Sequence, residues 1–303
     1  MGTAMPDSHM PPLMPSAALR QTGVLLGLIG AGIQASRTPA LHMAEAAAQG
    51  FPGVYRIIDL DRIEGGAAAL PDLLVAAERM GFAGLNITFP CKQQVIPLLH
   101  ELSPEAAALG AVNTVVLRDA RRIGHNTDCS GFAEAFRRGL PGVAKGRVVQ
   151  LGAGGAGSAV AQALLAEGIA RLAIQDVDPG RAAGLAEALS TRFGAGRAVP
   201  VGDLGADIAS ADGLVNCTPV GMAKLPGTPM PPAMLHGGLW VAEIVYFPLE
   251  TALLKAARAL GCRTLDGGGM AVFQAAHAFT HFTGVVPDAE RMLAGFRAGL
   301  ASP

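Results

Sequence analysis

The chain has 303 residues, of which half are hydrophobic and only 16% are charged, so its length suits about two domains and its composition excludes disorder of the whole chain. Its 23 Lys and Arg residues nearly cancel its 24 Asp and Glu residues, so no excess positive charge favours nucleic acid or an acidic membrane surface. The cysteines form neither a C-x-x-C pair nor a disulfide-dense pattern. We therefore expect reduced, mostly buried thiols in the cytoplasm at Cys91, Cys129, Cys217 and Cys262.

The N-terminal twenty residues are predicted to be a disordered leader. They hold four prolines and no continuous apolar core, so they do not resemble a secretory signal. Residues 148–166 carry no charge and approach the length of a membrane span, yet they include Gln150, Ser158, Gln162 and several glycines. We interpret this stretch as a strand, a glycine turn and a helix, and no membrane partner is expected.

Strands and helices alternate from residue 23 onwards. Apolar runs predict strands over residues 24–33, 54–60, 83–88 and 112–117. Helices are predicted over residues 38–49, with Thr38 as N-cap and Pro39 in the first turn, and over residues 70–80, 95–102 and 104–109. This repeat indicates a mainly parallel sheet with helical cover.

A second series of the same kind starts near residue 122. It comprises helix 130–138, strand 147–151, helix 157–167, strand 172–176, helix 180–189 and strands 213–216 and 239–244. The helices between residues 270 and 298 have no strand partners of their own, so we expect them to pack on the first domain. The sequence predicts a two-domain α/β fold, with a substrate-binding catalytic domain over residues 21–122 plus 270–303 and a Rossmann-type dinucleotide-binding domain over residues 123–269.

A glycine loop follows the predicted strand 147–151. In the pattern G-x-G-x-x-G, Gly152 permits the tight turn, Gly154 lets the backbone approach a pyrophosphate, and Gly157 lets the helix lie close to the strand. Asp176 ends the next strand, where an acid binds the adenosine ribose and repels a 2′-phosphate. The pattern predicts a bound dinucleotide and favours NAD over NADP. The alternative is a tight turn without a ligand, with Asp176 as a helix N-terminal acid.

Polar residues cluster where several predicted strands end, over residues 86–92, 110–114 and 126–128. The carboxyl ends of parallel strands line the ligand crevice of an open sheet. Lys92 and Asp128 could therefore meet there and transfer protons. The residues alone leave equal weight for a surface salt bridge with Asn and Thr side chains that complete turns.

The whole set of motifs resembles the shikimate/quinate dehydrogenase family, in order from Gly27 to Gly284. The segments that carry the resemblance are residues 36–39, 86–92, 111–114, 126–128, 152–157, 216–222, 246–248 and 270–275. It implies reversible oxidation of a ring hydroxyl of a small cyclohexane or cyclohexene carboxylate.

The resemblance also implies roles for individual residues. Lys92 and Asp128 match the catalytic pair. Ser36 and Thr38 match two hydroxyl residues that hold the substrate carboxylate, and Tyr246 matches a tyrosine near the substrate. The positions that hold the ring hydroxyls are Asn86, Thr88, Asn113 and Gln274. The cofactor-binding positions are Gly152, Gly154, Gly155, Ala156, Gly157, Asp176, Arg181, Thr218 and Met270. Among these, Met270 matches a methionine that lies beside the nicotinamide.

Three departures from the common biosynthetic members bear on substrate and cofactor. Thr38 replaces a serine, and Asp176-Val177-Asp178, with Arg181 further on, replaces a basic Asn-Arg-Thr signature. Both differences resemble the NAD-dependent branch, which uses quinate as well as shikimate. Glu243 stands where the family usually has Asp, and the sequence suggests no role for it.

The function expected is NAD-dependent oxidation of quinate, shikimate or both by a cytoplasmic enzyme without nucleic-acid partners, with a homodimer left open. The alternatives are an NADP-dependent biosynthetic shikimate dehydrogenase, an enzyme for aminoshikimate or aminoquinate, and a non-catalytic nucleotide-binding sensor or scaffold. His277 and His281 lie one helical turn apart, but no third ligand is evident, so we expect a helix surface and no metal. His125 is a competing base with no evident partner, and a structural role is expected for it.

Overall fold

The computed structural model of the protein describes residues 16–301, in which two six-stranded sheets are each flanked by helices. In chain order the strands are β1 Val24–Gly30, β2 Gly53–Asp59, β3 Gly84–Ile87, β4 Glu101–Leu102, β5 Thr114–Arg118, β6 Arg121–His125, β7 Arg147–Leu151, β8 Arg171–Gln175, β9 Ala198–Pro200, β10 Gly213–Asn216, β11 Trp240–Glu243 and β12 Arg263–Leu265. The α-helices are α1 Ser16–Thr22, α2 Thr38–Ala48, α3 Leu70–Arg79, α4 Cys91–Gln94, α5 Pro104–Leu109, α6 Thr127–Gly139, α7 Gly155–Ala166, α8 Pro179–Phe193, α9 Leu204–Ala209, α10 Ala252–Ala259, α11 Gly268–Thr283 and α12 Ala289–Ala301.

The first sheet has the order β2-β1-β3-β5-β6-β4 and is mixed. Strand β1 pairs in parallel with β2 and β3, whereas β5 runs antiparallel to both β3 and β6. The hairpin turn between β5 and β6 is made by Asp119 and Ala120, both at positive φ. Asp-Ala is an unusual pair for such a turn, so the hairpin was not predicted. The predicted domain boundary after residue 122 falls inside β6, which belongs to the first sheet.

The second sheet has the order β12-β11-β10-β7-β8-β9 and is parallel throughout. This is the doubly wound arrangement: strands β7 to β9 are added towards one edge of the sheet and β10 to β12 towards the other. A ligand crevice opens beyond the strand ends at this switch point between β7 and β10. The predicted bounds of β7 and β10 are confirmed. The sequence reading missed β9, α9, α10 and β12, whose runs of three to eight residues carry little periodic signal.

The C-terminal helices return to the first sheet, as the sequence predicts. Helix α11 packs on α6, α2 and β5, and α12 packs on α11 and α2. Gly131 of α6 permits the close approach of α11, because a Cβ added there would lie 2.6 Å from the backbone nitrogen of Gln274. The crossing of α6 and α11 thus joins the two sheets.

The predicted leader over residues 1–20 is wrong at its end, since α1 begins at Ser16 and Leu19 is buried beside Phe51 and Phe279. Residues 1–15 lie outside the described residues. The uncharged stretch 148–166 forms β7, the glycine loop and α7, and within residues 16–301 no helix is long and apolar enough to cross a membrane. All four cysteines are buried and free, as the sequence predicts.

Candidate active site

The candidate substrate crevice lies beyond the carboxyl ends of β1 and β3, neighbouring parallel strands from which the chain continues to β2 on one side and to β5 on the other. The backbone N–H of Ala31 donates to the carbonyl of Phe89 at 2.8 Å, so the loop after β1 runs beside the loop after β3. The first loop carries Ser36 and Thr38, and the second carries Thr88 and Lys92. The topology therefore brings these predicted site residues to one edge of the sheet.

Lys92 and Asp128 are brought together across 36 positions of sequence. Lys92 Nζ lies 2.5 Å from Asp128 Oδ2, and their side chains are 24% and 12% exposed. Asn126 holds Asp128 in the first turn of α6, because its Oδ1 accepts the backbone N–H groups of Asp128 and Cys129. Asn126 also donates to the carbonyl of Ala111 at 3.0 Å, which fixes the start of α6 to the first sheet. Lys92 and Asp128 thus form a fixed ion pair that is partly exposed.

A buried amide network lies beneath this pair. Asn113 Nδ2 donates to Asp128 Oδ1 at 2.9 Å, and Asn113 Oδ1 accepts the Thr127 N–H at 2.8 Å. Asn86 Nδ2 donates to Thr114 Oγ1 and to the carbonyl of Asn113, both at 3.2 Å. Asn86 and Asn113 are only 5% and 3% exposed, so both amides contact protein groups in this structure. Their predicted contacts with ring hydroxyls stay predictions.

Tyr55 is a residue of this network that the sequence reasoning missed. Its hydroxyl donates to Asn86 Oδ1 at 2.8 Å, and burial raises the pKa of Tyr55 well above 10. Tyr55 thereby fixes which way the Asn86 amide points. A lone tyrosine in strand β2, distant in sequence from every motif, gives no local signal of this contact.

The other predicted substrate residues lie on different elements. Ser36 Oγ donates to Thr38 Oγ1 at 3.2 Å, and the Thr38 N–H lies 3.3 Å from Ser36 Oγ. The N-cap of α2 is Arg37 rather than Thr38, and no side chain caps the helix, because Thr38 has already turned into the first helical position. Gln274, on α11, lies 3.5 Å from the Thr127 hydroxyl, whereas Tyr246 is 47% exposed after β11.

The glycine loop after β7 fits a dinucleotide. Gly152 has φ +100, and a Cβ there would lie 2.8 Å from the Cys217 carbonyl group. A Cβ on Gly157 would lie 2.3 Å from the Gly152 carbonyl oxygen, so this glycine keeps α7 close to β7. Gly154 and Gly155 have no atoms within 4 Å of an added Cβ, and no side chain caps α7 at Gly154. Open space in front of an uncapped helix N-terminus suits a pyrophosphate.

Gln150 donates hydrogen bonds to this loop from the buried strand β7. The sequence did not identify it as a functional residue. Its Nε2 donates to the carbonyls of Gly152 and Gly157, both at 2.9 Å, and its side chain is fully buried. Its Oε1 has no hydrogen-bond partner. A lone amide in a buried strand directly before a glycine loop is the sequence signal that could have identified it.

Asp176 is placed beside the glycine loop. Its carboxylate accepts the backbone N–H groups of Ala153 at 2.7 Å and Asp178 at 2.9 Å, and Arg181 lies 3.3 Å away. Burial opposes ionisation, but the two N–H groups and the Arg181 charge outweigh it and lower the pKa of Asp176. A carboxylate is therefore fixed where the adenosine ribose of a dinucleotide would lie.

Thr218 and Met270 reach the same side of the crevice from two further elements. Thr218 follows β10, and its N–H and hydroxyl donate to Asn216 Oδ1 at 3.0 and 2.7 Å. Met270 lies in the first turn of α11 and is 8% exposed. Gly155 and Ala156 begin α7, and Arg181 lies in the first turn of α8. The predicted cofactor residues thus follow the ends of β7, β8 and β10 or begin α7, α8 and α11.

The histidines contact one another and not a catalytic group. The rings of His125 and His281 stack at 4.0 Å, and His277 Nδ1 lies 2.7 Å from Ser130 Oγ. Burial, followed by the charges of His125 and His277, lowers the pKa of His281 to about 3. His277 and His281 are half-buried on α11, which packs on α6 and β5.

Comparison with known proteins agrees with this geometry. Residues 28–115 match the family model of the shikimate dehydrogenase substrate-binding domain. The chain is 58% identical to a shikimate dehydrogenase (NADP(+)) from Streptomyces avermitilis, over 91% of this chain and 96% of that protein. It is 52% identical to a quinate/shikimate dehydrogenase (NAD(+)) from Corynebacterium efficiens, over 92% and 99% of the two chains.

Solved structures give the same result for the fold. Quinate dehydrogenase from Corynebacterium glutamicum in complex with NAD superposes with a TM-score of 0.87 at 50% identity, covering 91% of this chain and 99% of that one. The two sheets, the fitted glycine loop and the paired Lys92 and Asp128 thus occur in a chain that is similar over nearly its whole length to such enzymes. The chain belongs to the shikimate/quinate dehydrogenase family.

Proposed function

We propose that the protein catalyses the reversible NAD-dependent oxidation of a ring hydroxyl of quinate, shikimate or both to the 3-dehydro ketone. The observation that carries this proposal is the contact of Lys92 with Asp128 at 2.5 Å, at the edge of the first sheet where the substrate crevice lies. The dehydrogenase names of its similar relatives support the same reaction class.

Lys92 and Asp128 handle the hydroxyl proton. In the reducing direction the Lys92 ammonium donates a proton to the ketone oxygen, and in the oxidising direction the hydroxyl proton returns to Nζ. Asp128 keeps Nζ in place, and Asn113 keeps Asp128 in place through its 2.9 Å contact. Bound NAD supplies the hydride acceptor for the ring carbon.

The remaining residues bind and orient the substrate. Ser36 and Thr38 place two hydroxyls at the start of α2, where the N-cap residue Arg37 makes no side-chain cap and the Thr38 N–H donates to Ser36 Oγ. Hydroxyl donors at a helix N-terminus favour a carboxylate there. Thr88 and Gln274 lie on either side of the crevice and suit ring hydroxyls. Asn86 and Asn113 hold the floor of the crevice and contact the ring hydroxyls from below. Tyr246 closes the crevice from the second sheet.

The cofactor side favours NAD. The pyrophosphate of NAD would be held by Gly152, Gly154, Gly155, Ala156 and Gly157. Thr218 and Met270 would bind the nicotinamide end, and Asp176 would accept hydrogen bonds from the ribose hydroxyls. Because Asp176 is ionised and fixed, a 2′-phosphate would meet its charge, and Arg181 offsets that charge only in part because it also contacts Asp178. The similar proteins divide between the names NADP(+) and NAD(+), so the cofactor preference has to be measured on this chain.

Initial rates with quinate and with shikimate, each with NAD and with NADP, test the proposal. We expect kcat/KM with NAD to exceed that with NADP by roughly ten- to a hundredfold, about 1.4 to 2.8 kcal/mol. Equal or better kcat/KM with NADP would select the biosynthetic alternative. An amino-substituted substrate that reacts faster than both acids would select the aminoshikimate alternative, and NAD binding without turnover would select the sensor alternative.

A cytoplasmic location and a homodimer complete the proposal. Four free, buried thiols suit a reducing compartment. Strand β2 forms an open edge of the first sheet, and Val54 on it is 56% exposed, which suits pairing with a second copy. Light scattering on the purified protein decides between a monomer and a dimer.

A further inference from the structure

Glu243 ends β11 and is 1% exposed. Its carboxylate meets hydrogen-bond donors only: Asn216 Nδ2 at 2.9 and 3.0 Å from its two oxygens, the Val245 N–H at 3.0 Å and the Thr251 hydroxyl at 3.2 Å. Burial raises the pKa of Glu243 to about 7, and the hydrogen bonds from Asn216, Val245 and Thr251 oppose that rise. In its ionised form Glu243 only accepts and so matches these donors, whereas an amide would turn its own N–H groups towards them.

The contact with Glu243 decides which way the Asn216 amide points. With Nδ2 held by the Glu243 carboxylate and by the Val220 carbonyl at 2.9 Å, Oδ1 is directed to Thr218. That oxygen accepts both the N–H and the hydroxyl of Thr218, and Thr218 Oγ1 in turn accepts the Val220 N–H at 3.2 Å. If the amide were reversed, the N–H and the hydroxyl of Thr218 would both lose Asn216 Oδ1 as their shared acceptor.

The turn over residues 217–221 lies between Glu243 and the glycine loop. A Cβ on Gly221 would lie 3.7 Å from Glu243 Oε2, and a Cβ on Gly152 would lie 3.1 Å from the Thr218 nitrogen. Gly221 has φ +111, a conformation that favours glycine. A shift of the Asn216 amide is therefore passed to Thr218 and to the backbone against which Gly152 packs.

We propose that Glu243 is a positioning residue for the cofactor: it fixes the orientation of the Asn216 amide, and through it the turn over residues 217–221 that presents Thr218 to the nicotinamide half of NAD. This role rests on the proposed function for the cofactor residues. Glu243 itself touches neither substrate nor cofactor in this assignment. Its removal therefore weakens NAD binding more than it slows the reacting groups Lys92 and Asp128.

The test compares Glu243→Gln and Glu243→Asp with the parent protein, using calorimetric titration with NAD in the absence of substrate. We expect Glu243→Gln to raise the Kd for NAD about tenfold, because the new amide favours the reversed Asn216. Glu243→Asp keeps an acceptor-only group but retracts it by one methylene, so a rise of about threefold is expected. In steady-state assays the KM for NAD should rise in the same order while kcat stays within about threefold.

Glu45→Gln is the matched control, because Glu45 is an equally buried glutamate that joins α2 to Arg291 of α12. It should lower Tm and leave the Kd for NAD within twofold of the parent value. Unchanged NAD affinity in both Glu243 variants, or an equal loss in Glu45→Gln, overturns the proposal. If Glu243→Gln does not fold, Glu243→Asp decides alone, and unchanged affinity in that variant overturns the proposal.

The parent protein separates this inference from the proposed function. A parent that binds NAD but oxidises neither quinate nor shikimate contradicts the proposed function, and the order of the NAD affinities still decides the role of Glu243. A parent that does not bind NAD overturns both.

Discussion

The two sides of the crevice are prepared for their ligands in opposite ways. On the side of the first sheet, a continuous hydrogen-bonded network joins Lys92, Asp128, Asn113 and Asn86. On the side of the second sheet, Gly154 and Gly155 border open space and an uncapped helix end. The proposed reacting groups are held by protein contacts, whereas the proposed cofactor site is open space in front of a helix N-terminus.

The largest effect is expected from removal of the charged pair. Lys92→Ala should lower kcat at least a hundredfold, because it removes the positioned proton donor, while the Kd for NAD stays within about twofold. Steady-state rates and calorimetry measure the two quantities separately. The exposed Lys255→Ala is the control and should change neither. Near-normal turnover of a folded Lys92→Ala protein would refute the assigned proton transfer.

On the cofactor side, two glycine variants separate open space from tight packing. Gly154→Ala adds a methyl group where nothing lies within 4 Å, so the protein should keep its Tm while the Kd for NAD rises about thirtyfold, roughly 2 kcal/mol. Gly157→Ala should lower Tm instead, because its methyl group meets the Gly152 carbonyl oxygen. If Gly154→Ala bound NAD as the parent does, the pyrophosphate would not lie against this residue.

His42 lies beside Tyr55 but takes no part in the hydrogen-bonded network, since both of its ring nitrogens are buried without a hydrogen-bond partner. Burial lowers the pKa of His42 to about 3. The folded state therefore binds fewer protons than the unfolded state below pH 6.5, and stability is lost as the pH falls. Between pH 7 and pH 5, the unfolding free energy of the parent protein should therefore fall by about 2 kcal/mol more than that of His42→Leu. Urea denaturation at both pH values measures it, and the same loss in both proteins would contradict the assignment.

The smallest effect is expected at Thr38. Thr38→Ser removes one methyl group beside the substrate carboxylate, where quinate and shikimate differ, and should shift the quinate-to-shikimate ratio of kcat/KM towards shikimate by about 1 kcal/mol. Thr38→Val should impair both substrates, because it keeps the shape and deletes a donor to a charged group. An unchanged ratio in Thr38→Ser, together with full activity in Thr38→Val, would remove Thr38 from the site.

The sequence predicted the parts of the fold that carry a repeating or a local signal. Strands β7 and β10 and the glycine loop follow from apolar runs and from glycine chemistry, and the meeting of Lys92 with Asp128 follows from parallel strand ends. Tyr55 and Glu243 could not be assigned, since the amides that they orient, Asn86 and Asn216, lie 31 and 27 residues away and hydrogen-bond direction leaves no pattern in a sequence. The hairpin of β5 and β6 was missed because its turn residues are atypical for the conformation they adopt.

The return of α11 to the first sheet also has a consequence for how the protein is made. Phe279 and Phe282 complete the core around Leu26 and Leu28, and the Phe282 ring occupies the place where a side chain on Gly84 would lie. During synthesis the strands of the first sheet therefore leave the ribosome before Phe279 and Phe282. One apolar face of that sheet is covered only after residue 282 has been synthesised. The half of the molecule that is translated first is completed last, and a chain interrupted before α11 exposes that face to aggregation and proteolysis.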